Sequence, residues 1–427
     1  MALDRDELNK RRRQREALRK KRQAEQRTLM IRLVIAAVVL LLVGALIFAL
    51  SRGGADTPPP ETTLPQQDDP VETTVPRETE TPTTVIHLAA AGDLNVTDKV
   101  VASSSGDLDY TAAFRDVLPL LASADLTVMN FEGNLVGMPY GSERRSAPQS
   151  LVQALDKAGV DILQMANSWS IHNGINGLVS TLQTIRQSGI EPVGAYGTRD
   201  EFRQSGGYTI RDVNGVKVGI VAFTKGMNSM ALPTGSENCV NLLYTDYSSN
   251  YQKVDTKGIT GILEDLQEER PDITVAMLHW GSEVNDQISS SQKKIANLMF
   301  SEGVDVIIGT HSHYVQSILF DEDAGTFIAY SLGDFFGDAS QAGTEYSIIL
   351  DLEITKDNET GVTKVTGYDY TPIFTVHEEG KPLRVARIRE AMAAYSDNFV
   401  DKVSDQTYHD MEYALGRIEA RVNTPVK

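Results

Sequence analysis

Cysteine is nearly missing from this chain: Cys239 is the sole one among 427 residues. No intrachain disulfide can form, and a cysteine-based metal cage lacks its ligands. Cys239 itself reads as a small apolar residue near a strand. Positive charge is also short, with 40 Lys and Arg against 58 Asp and Glu, for a net −18. The shortage is uneven. Residues 1–32 hold a net +7, which leaves −25 on the remainder. So acidic a body argues against a nucleic-acid partner and suits a solubility surface outside the cytoplasm. A polyanionic partner would need metal or a local basic patch to offset that charge. Repeats of 20–50 residues are absent, which argues against a repeat architecture.

Long apolar runs are rare as well, and the one exception is informative. Leu33 to Leu50 passes eighteen residues without a charge, extended by Leu29-Met30-Ile31 around Arg32. That length suffices to cross a bilayer as a helix. It exceeds a usual signal-peptide core, and no clear small-x-small cleavage site follows. Residues 29–50 are therefore expected to be an uncleaved transmembrane anchor. The basic segment 1–28, with Arg11-Arg12-Arg13 and Lys20-Lys21-Arg22, should stay cytoplasmic and the C-terminal bulk should face outside. Residues 51–84 are Pro, Thr, Glu and Asp with little to bury, the composition of a disordered spacer. Fully extended at ~3.1 Å per residue, such a spacer reaches on the order of 100 Å.

The folded region is expected over residues 85–380, followed by a charged, helix-biased tail at 381–427. Val85-Ile86-His87-Leu88-Ala89-Ala90-Ala91 reads as a buried strand running into Gly92-Asp93. A helical pattern at Tyr110–Ser123 leads to a second strand, Leu126–Met129, then Asn130-Phe131-Glu132. Val160–Met165 is a third, ending in Ala166-Asn167-Ser168-Trp169. Tyr208–Arg211 and Val216–Phe223 form a hairpin with Asn214-Gly215 as its turn. Alternation of strands with helical segments argues for a mainly parallel α/β sheet.

The most informative stretch runs from Leu278 to Val315. Two short apolar, β-branched runs, Thr274–Leu278 and Val304–Ile308, flank an amphipathic segment, Ser290–Glu302. Polar residues stand just past each run: His279-Trp280-Gly281-Ser282-Glu283, and Gly309-Thr310-His311-Ser312-His313. Three of the seven histidines fall here. In a parallel α/β sheet the crevice beyond the strand carboxyl ends is where sites are built, and neutral imidazole is the commonest metal ligand. Each residue alone also has a bland reading: Asp93 as a cap, Glu132 as a solvated carboxylate, Asn167 as an Asx-turn. Five successive strand ends carrying Asp93, Glu132, Asn167, His279 and His311/His313 make a metal centre the stronger expectation.

Taken in order, Ala91-Gly92-Asp93, Asn130-Phe131-Glu132, Ala166-Asn167, His279-Trp280-Gly281, Gly309-x-His311-x-His313 and Tyr330-Ser331-Leu332-Gly333-x-Phe335 resemble the bacterial capsule-synthesis protein A, or poly-γ-glutamate biosynthesis, family. Its domain is similar to calcineurin-like metallophosphoesterases. The resemblance covers roughly Val85 to Thr375. It implies an α/β fold, a four-layer α/β sandwich, and a centre of two divalent metal ions, with Mn, Fe or Zn suited to the mixed ligands. Carried over, Asp93 and His313 serve one ion, Asn167, His279 and His311 the other, and Glu132 bridges. Two such ions activate water and stabilise a developing oxyanion.

The chain departs from the family where Ala-Asn-Asn-His is the pattern, because Trp169 replaces the His. Indole transfers no proton, and general acid help is typically worth 10²–10⁴-fold. His172 is the nearest substitute, and Glu283 is a second candidate catalytic group. Trp169, Trp280 and Asp334, the last standing where the family shows Asn, are candidate substrate contacts. Two functions follow: a metal-dependent hydrolase or transferase acting on an anionic surface polymer of polyglutamate type, or a non-catalytic subunit of a polymer assembly or export complex. Both imply the polymer and membrane-embedded synthase or export subunits as partners. A phosphoesterase on small secreted substrates rests on fold analogy alone.

Overall fold

Every residue from Ile273 to His279 is buried, yet alternate side chains in this strand enter different cores. Ile273, Val275 and Met277 join one apolar cluster, and Ala276 and Leu278 join another. This is the period-two geometry of a strand covered on both faces, and it organises the molecule. The computed structural model describes residues 82–104, 108–397, 399 and 402–426. The expected anchor and nearly all of the spacer lie outside them. Among the described residues no helix is long and apolar enough to cross a membrane. Residues 82–427 form one compact unit.

The first sheet begins with four parallel strands, β1 (Thr83–Asn95), β2 (Leu126–Glu132), β3 (Ile162–Gln164) and β4 (Glu191–Val193). The chain then builds a second sheet from β5 (Tyr208–Val213), β6 (Val216–Thr224), β7 (Ile273–His279), β8 (Val306–Thr310), β9 (Ile318–Asp321) and β10 (Thr326–Ala329). It returns to the first through β11 (Asp334–Phe336), β12 (Tyr346–Asp357), β13 (Thr363–Val376) and β14 (Arg384–Arg387). The orders are β14-β13-β12-β1-β2-β3-β4, with β11 also paired to β1, and β5-β6-β7-β8-β10-β9. The result is a mixed α/β fold of two sheets rather than one parallel sheet. β12, β13 and β14 add antiparallel to β1, as does β9 to β10.

One apolar cluster contains Ile86, Leu88 and Ala90 of β1 together with Val218 and Ile220 of β6, so the two sheets share a core. On the far face of the second sheet, Val221, Ala276, Leu278 and Ile307 meet Ile259, Leu263 and Leu266 of helix Thr256–Glu268 and Ile295 and Met299 of helix Ser290–Ser301. A buried leucine such as Leu278 contributes about 2–5 kcal/mol relative to alanine. The hairpin turn is as expected: Asn214 and Gly215 have φ of 52° and 84°, the left-handed pair that a two-residue turn demands. Helix Ser290–Ser301 starts at Ser289, whose side chain and that of Gln292 form a reciprocal capping box. Gln292 also donates to Gln316 at 3.0 Å, and Gln316 donates to the Asn285 carbonyl at 2.9 Å. The connection after β7 is thereby fixed to the segment after β8. At the C-terminus, helix Asp405–Val422 buries Met411, Ala414, Ile418 and Val422 in the shared core.

Candidate metal centre

Both sheets deliver side chains to one place, beyond the carboxyl ends of β1, β2, β7 and β8. The β1 end reaches it because Gly92 has no side chain: a Cβ there would lie 1.8 Å from the Gly333 carbonyl oxygen. This close approach lets the Asp93 N–H donate to Gly333 O at 3.0 Å and sets Asp93 in register with Asp334 of β11. On β8, a Cβ at Gly309 would meet Tyr330 O at 2.0 Å. Just beyond it, His311 and His313 take φ of 87° and 59°. Positive φ costs a non-glycine residue of order 1–3 kcal/mol, and here it turns both imidazoles into the crevice.

Two groups of potential ligands result. Glu132, His279 and His311 form one, and Asp93, His313 and Asp334 the other, with the ligand atoms of each within 4.8 Å of one another. In the first, Glu132 Oε1 lies 3.1 Å from His279 Nε2, and the imidazoles of His279 and His311 are 4.4 Å apart. In the second, His313 Nδ1 is 2.7 Å from Asp334 Oδ1 and 3.8 Å from Asp93 Oδ2. The Asn130 amide donates to Asp93 Oδ1 at 2.5 Å, and the His311 N–H donates to Oδ2 at 3.0 Å. Thr310 Oγ1 stands 3.2 Å from His279 Nδ1 and Ser168 Oγ 3.1 Å from Nε2.

Burial controls the charges. Burial, reinforced by the charge of Asp93, pushes Glu132 up to about 8. Burial raises Asp93 to about 6, opposed by His313. His279 and His311 are held well below the ordinary imidazole value by burial. His313 goes the other way: burial opposes its charge, but the charge and hydrogen bond of Asp334 raise it well above. Buried ligand atoms are short of partners. Both ring nitrogens of His311 make no hydrogen bond, and Glu132 Oε1 has only the 3.1 Å approach of His279 Nε2, although unsatisfied buried polar atoms are normally costly and rare. Such carboxylate and imidazole atoms, aimed together and predisposed to neutral imidazole, fit a divalent transition metal.

The remaining expected residues are distributed unevenly. Asp334, expected as a substrate contact, stands instead with Asp93 and His313. Asn167 is buried, but its Nδ2 donates to Phe131 O at 2.7 Å and to Asn130 Oδ1 at 3.2 Å. Its Oδ1, the atom a cation would take, accepts the Trp169 N–H at 3.0 Å. It braces the ends of β2 and β3. Trp280 is 1% exposed, with its indole N–H on Tyr330 O at 2.9 Å, so core packing leaves it no face for a substrate. Glu283 is exposed. His172 has Nε2 3.0 Å from the Glu143 carbonyl, and its ring packs edge-on to Trp169 at 5.0 Å. Trp169 is half-buried, and the guanidinium carbon of Arg145 sits 3.9 Å above its ring.

Sequence reasoning missed Asn130, Arg145 and Lys225. Asn130 stands two residues before Glu132 at the end of β2, and that position is its only mark in the sequence. Arg145 lies in a loop and Lys225 just past β6, where only tertiary structure shows their nearness to the acidic groups. Lys225 receives β7 directly, its N–H donating to His279 O at 2.8 Å and its Nζ to Gly281 O at 2.8 Å.

A family model described as bacterial capsule synthesis protein PGA_cap matches residues 87–339. The capsule biosynthesis protein CapA of Bacillus anthracis is 28% identical over 264 residues, 60% of this chain and 60% of that protein. The PGA biosynthesis protein CapA of Bacillus subtilis is 25% identical over 300 residues, covering 67% of this chain and 72% of that one. The chain thus spans less than two thirds of the first relative's length. Among solved structures, a novel phosphatase from Mycoplasma pneumoniae aligns with a TM-score of 0.41 at 15% identity, over 68% of this chain and 94% of that chain.

Proposed function

The chain belongs to the bacterial capsule synthesis protein PGA_cap family, and on that ground we propose that it is a membrane-anchored, extracytoplasmic protein of capsule or poly-γ-glutamate synthesis that acts on the polymer as a metal-dependent hydrolase or transferase. The observation that carries this reading is the pair of buried ligand groups, in which both ring nitrogens of His311 are without a hydrogen bond. In it, residues 29–50 anchor the protein and 51–84 hold the folded part away from the membrane. The four-layer α/β sandwich supplies a rigid frame, and membrane-embedded synthase or export subunits are the neighbours.

Glu132, His279 and His311 hold one divalent ion, and Asp93, His313 and Asp334 a second; Mn, Fe or Zn suit these donors. Such ions supply Lewis acidity to the oxygen on which negative charge develops. The protein's own residues do the positioning. Asn130 and the His311 N–H orient Asp93, and Asn167 holds Asn130 through its own amide.

A second reading, a non-catalytic binding subunit, is favoured by one observation. Trp169 occupies the family's proton-transfer position, and the ring nitrogen of the nearest alternative, His172, faces the Glu143 carbonyl. Metal analysis of the full-length chain, purified in detergent, followed by incubation with poly-γ-glutamate and with generic phosphoesters, separates the two. Polymer shortening or transfer that a chelator abolishes supports the enzyme. Metal-loaded protein that binds polymer and leaves every bond intact supports the subunit. Protein that takes up no divalent metal overturns the centre on which the proposed activity rests.

A further inference from the structure

An anionic polymer approaching this centre meets carboxylates. Asp93, Glu132 and Asp334 lie inside, Glu283 is exposed nearby, and the chain beyond residue 32 carries −25. The proposed metal ions offset the buried carboxylates, and a basic side chain beside them would receive the polymer's own carboxylate groups. Among the described residues, Arg145 and Lys225 are basic side chains whose charges act on the centre's groups, Arg145 with Glu132 and Lys225 with His279 and His311. Lys225 is engaged with Gly281 O at 2.8 Å and lies 4.7 Å over the Tyr251 ring. Arg145 is placed differently. Its planar face rests on Trp169, and face stacking leaves the in-plane N–H edge of a guanidinium able to donate. Nη1 donates to Val96 O at 3.3 Å, a contact that fixes the side chain at one corner.

The loop carrying Arg145 is built to hold this pose. Asn134 N–H donates to Arg145 O, Ala147 N–H returns to Asn134 O at 2.8 Å, and the Asn134 side chain donates to Trp169 O at 3.1 Å. Next to it, Arg144 and Asn173 exchange two hydrogen bonds, at 3.3 and 2.7 Å. Arg145 itself takes φ of 47°, a strained conformation kept by these ties. Loop and indole are thus one unit beside the acidic centre: Val96, whose carbonyl holds Arg145 Nη1, donates its own N–H to the Glu132 carbonyl at 3.1 Å.

We propose that Arg145, shelved on Trp169, is a carboxylate-binding subsite that seats one side-chain carboxylate of a polyglutamate-type polymer beside the metal groups. This inference rests on the polymer reading above. It also gives Trp169 a positive role: the position that holds a proton-transfer group in the family holds a platform for a recognition cation here. A guanidinium fork matches a carboxylate in two parallel hydrogen bonds, which a lysine cannot reproduce.

The test uses the full-length, metal-replete protein in detergent, titrated with poly-γ-glutamate and separately with inorganic polyphosphate. Binding is followed by calorimetry and by tryptophan emission. Because Trp280 is sealed in the core, a change in emission reports on Trp169. The parent is expected to bind polyglutamate with an emission change, more weakly as salt rises. Arg145→Gln should weaken binding about 10- to 100-fold with bound metal unchanged. Arg145→Lys, which keeps the charge and the stem, should recover only part of the loss. Trp169→Phe, which leaves a smaller ring beneath the guanidinium, should lose the emission change and bind by calorimetry between the parent and Arg145→Gln. Parent-like affinity in both Arg145 variants would overturn the subsite and leave the polymer reading standing. Arg145-dependent binding of polyphosphate but not polyglutamate would overturn the carboxylate assignment and the polymer reading together. No binding of either by the parent overturns the proposal outright.

Discussion

Glu132→Gln should change stability and metal binding in opposite directions. In the metal-free protein, burial moves this carboxyl from an ordinary 4.5 to about 8, so the folded state favours the neutral acid. The sign follows from linkage. A raised folded pKa gives a contribution complete below the unfolded value, near 4.5, and lost as pH climbs toward 8. The loss is about 1.4 kcal/mol per pH unit while the unfolded chain is ionised and the folded one is not. Between pH 5 and 7.5 the parent should therefore lose about 3 kcal/mol that the uncharged, nearly isosteric glutamine does not. Chelator-treated parent and variant are melted or denatured across this range, and the parent-minus-variant difference isolates Glu132. Added metal reverses the ranking, because saturation at a thousand times Kd contributes about 4 kcal/mol to the parent alone. Identical pH slopes for parent and variant would refute the argument that Glu132 is a buried carboxyl under strain of charge. Undiminished metal content in the variant would refute its place as a ligand.

Three further outcomes are expected. His279→Ala and His311→Ala should each lose most bound metal by elemental analysis, whereas His377→Ala and His409→Ala, exposed and away from both groups, should keep it; equal content in all four rejects the centre. Metal binding should release protons and tighten up to tenfold per unit as pH rises toward 8, since Glu132 must ionise to bind; calorimetry in buffers of different ionisation enthalpy would show no proton release if the site were preformed as charged. For the proposed topology, protease added to intact wall-stripped cells should remove the folded part and spare residues 1–28, and a protected folded part would reject it.

Much of the fold was legible because its strands are short, β-branched and separated by helical periodicity. The strands ending at His279 and Thr310, the helix between them and the Asn214-Gly215 hairpin all fall within a few residues of where the pattern places them. The division into two sheets was not legible in the residue pattern itself; it followed only from the four-layer sandwich that the family resemblance implies. Strands such as β2, β7 and β8 are buried along their whole length, so no polar alternation marks which face meets which layer. β9 and β11, four and three residues long, are too short for a periodic signal. In the site, the histidines and carboxylates were legible by type and position past strand ends. Trp280 lies buried in the core, and an aromatic beside a site residue looks the same in sequence whether it faces the crevice or the core. The Arg145–Trp169 stack joins a loop to a turn through space, and no local pattern encodes it.

The two ligand groups draw on residues far apart in the chain: the His311 N–H that orients Asp93 is 218 positions away from it, and Ser168 meets His279 across 111. Closing loops this long is slow, and the first sheet needs closures as long, Thr83 pairing with Asp357. The ligand groups are therefore expected to assemble only as the two sheets dock. An ion cannot template that search, because its ligands are together only once the search is over. It can, however, hold the docked sheets against separation. Metal should therefore leave the refolding rate nearly unchanged and slow unfolding, acting as a latch on a finished structure.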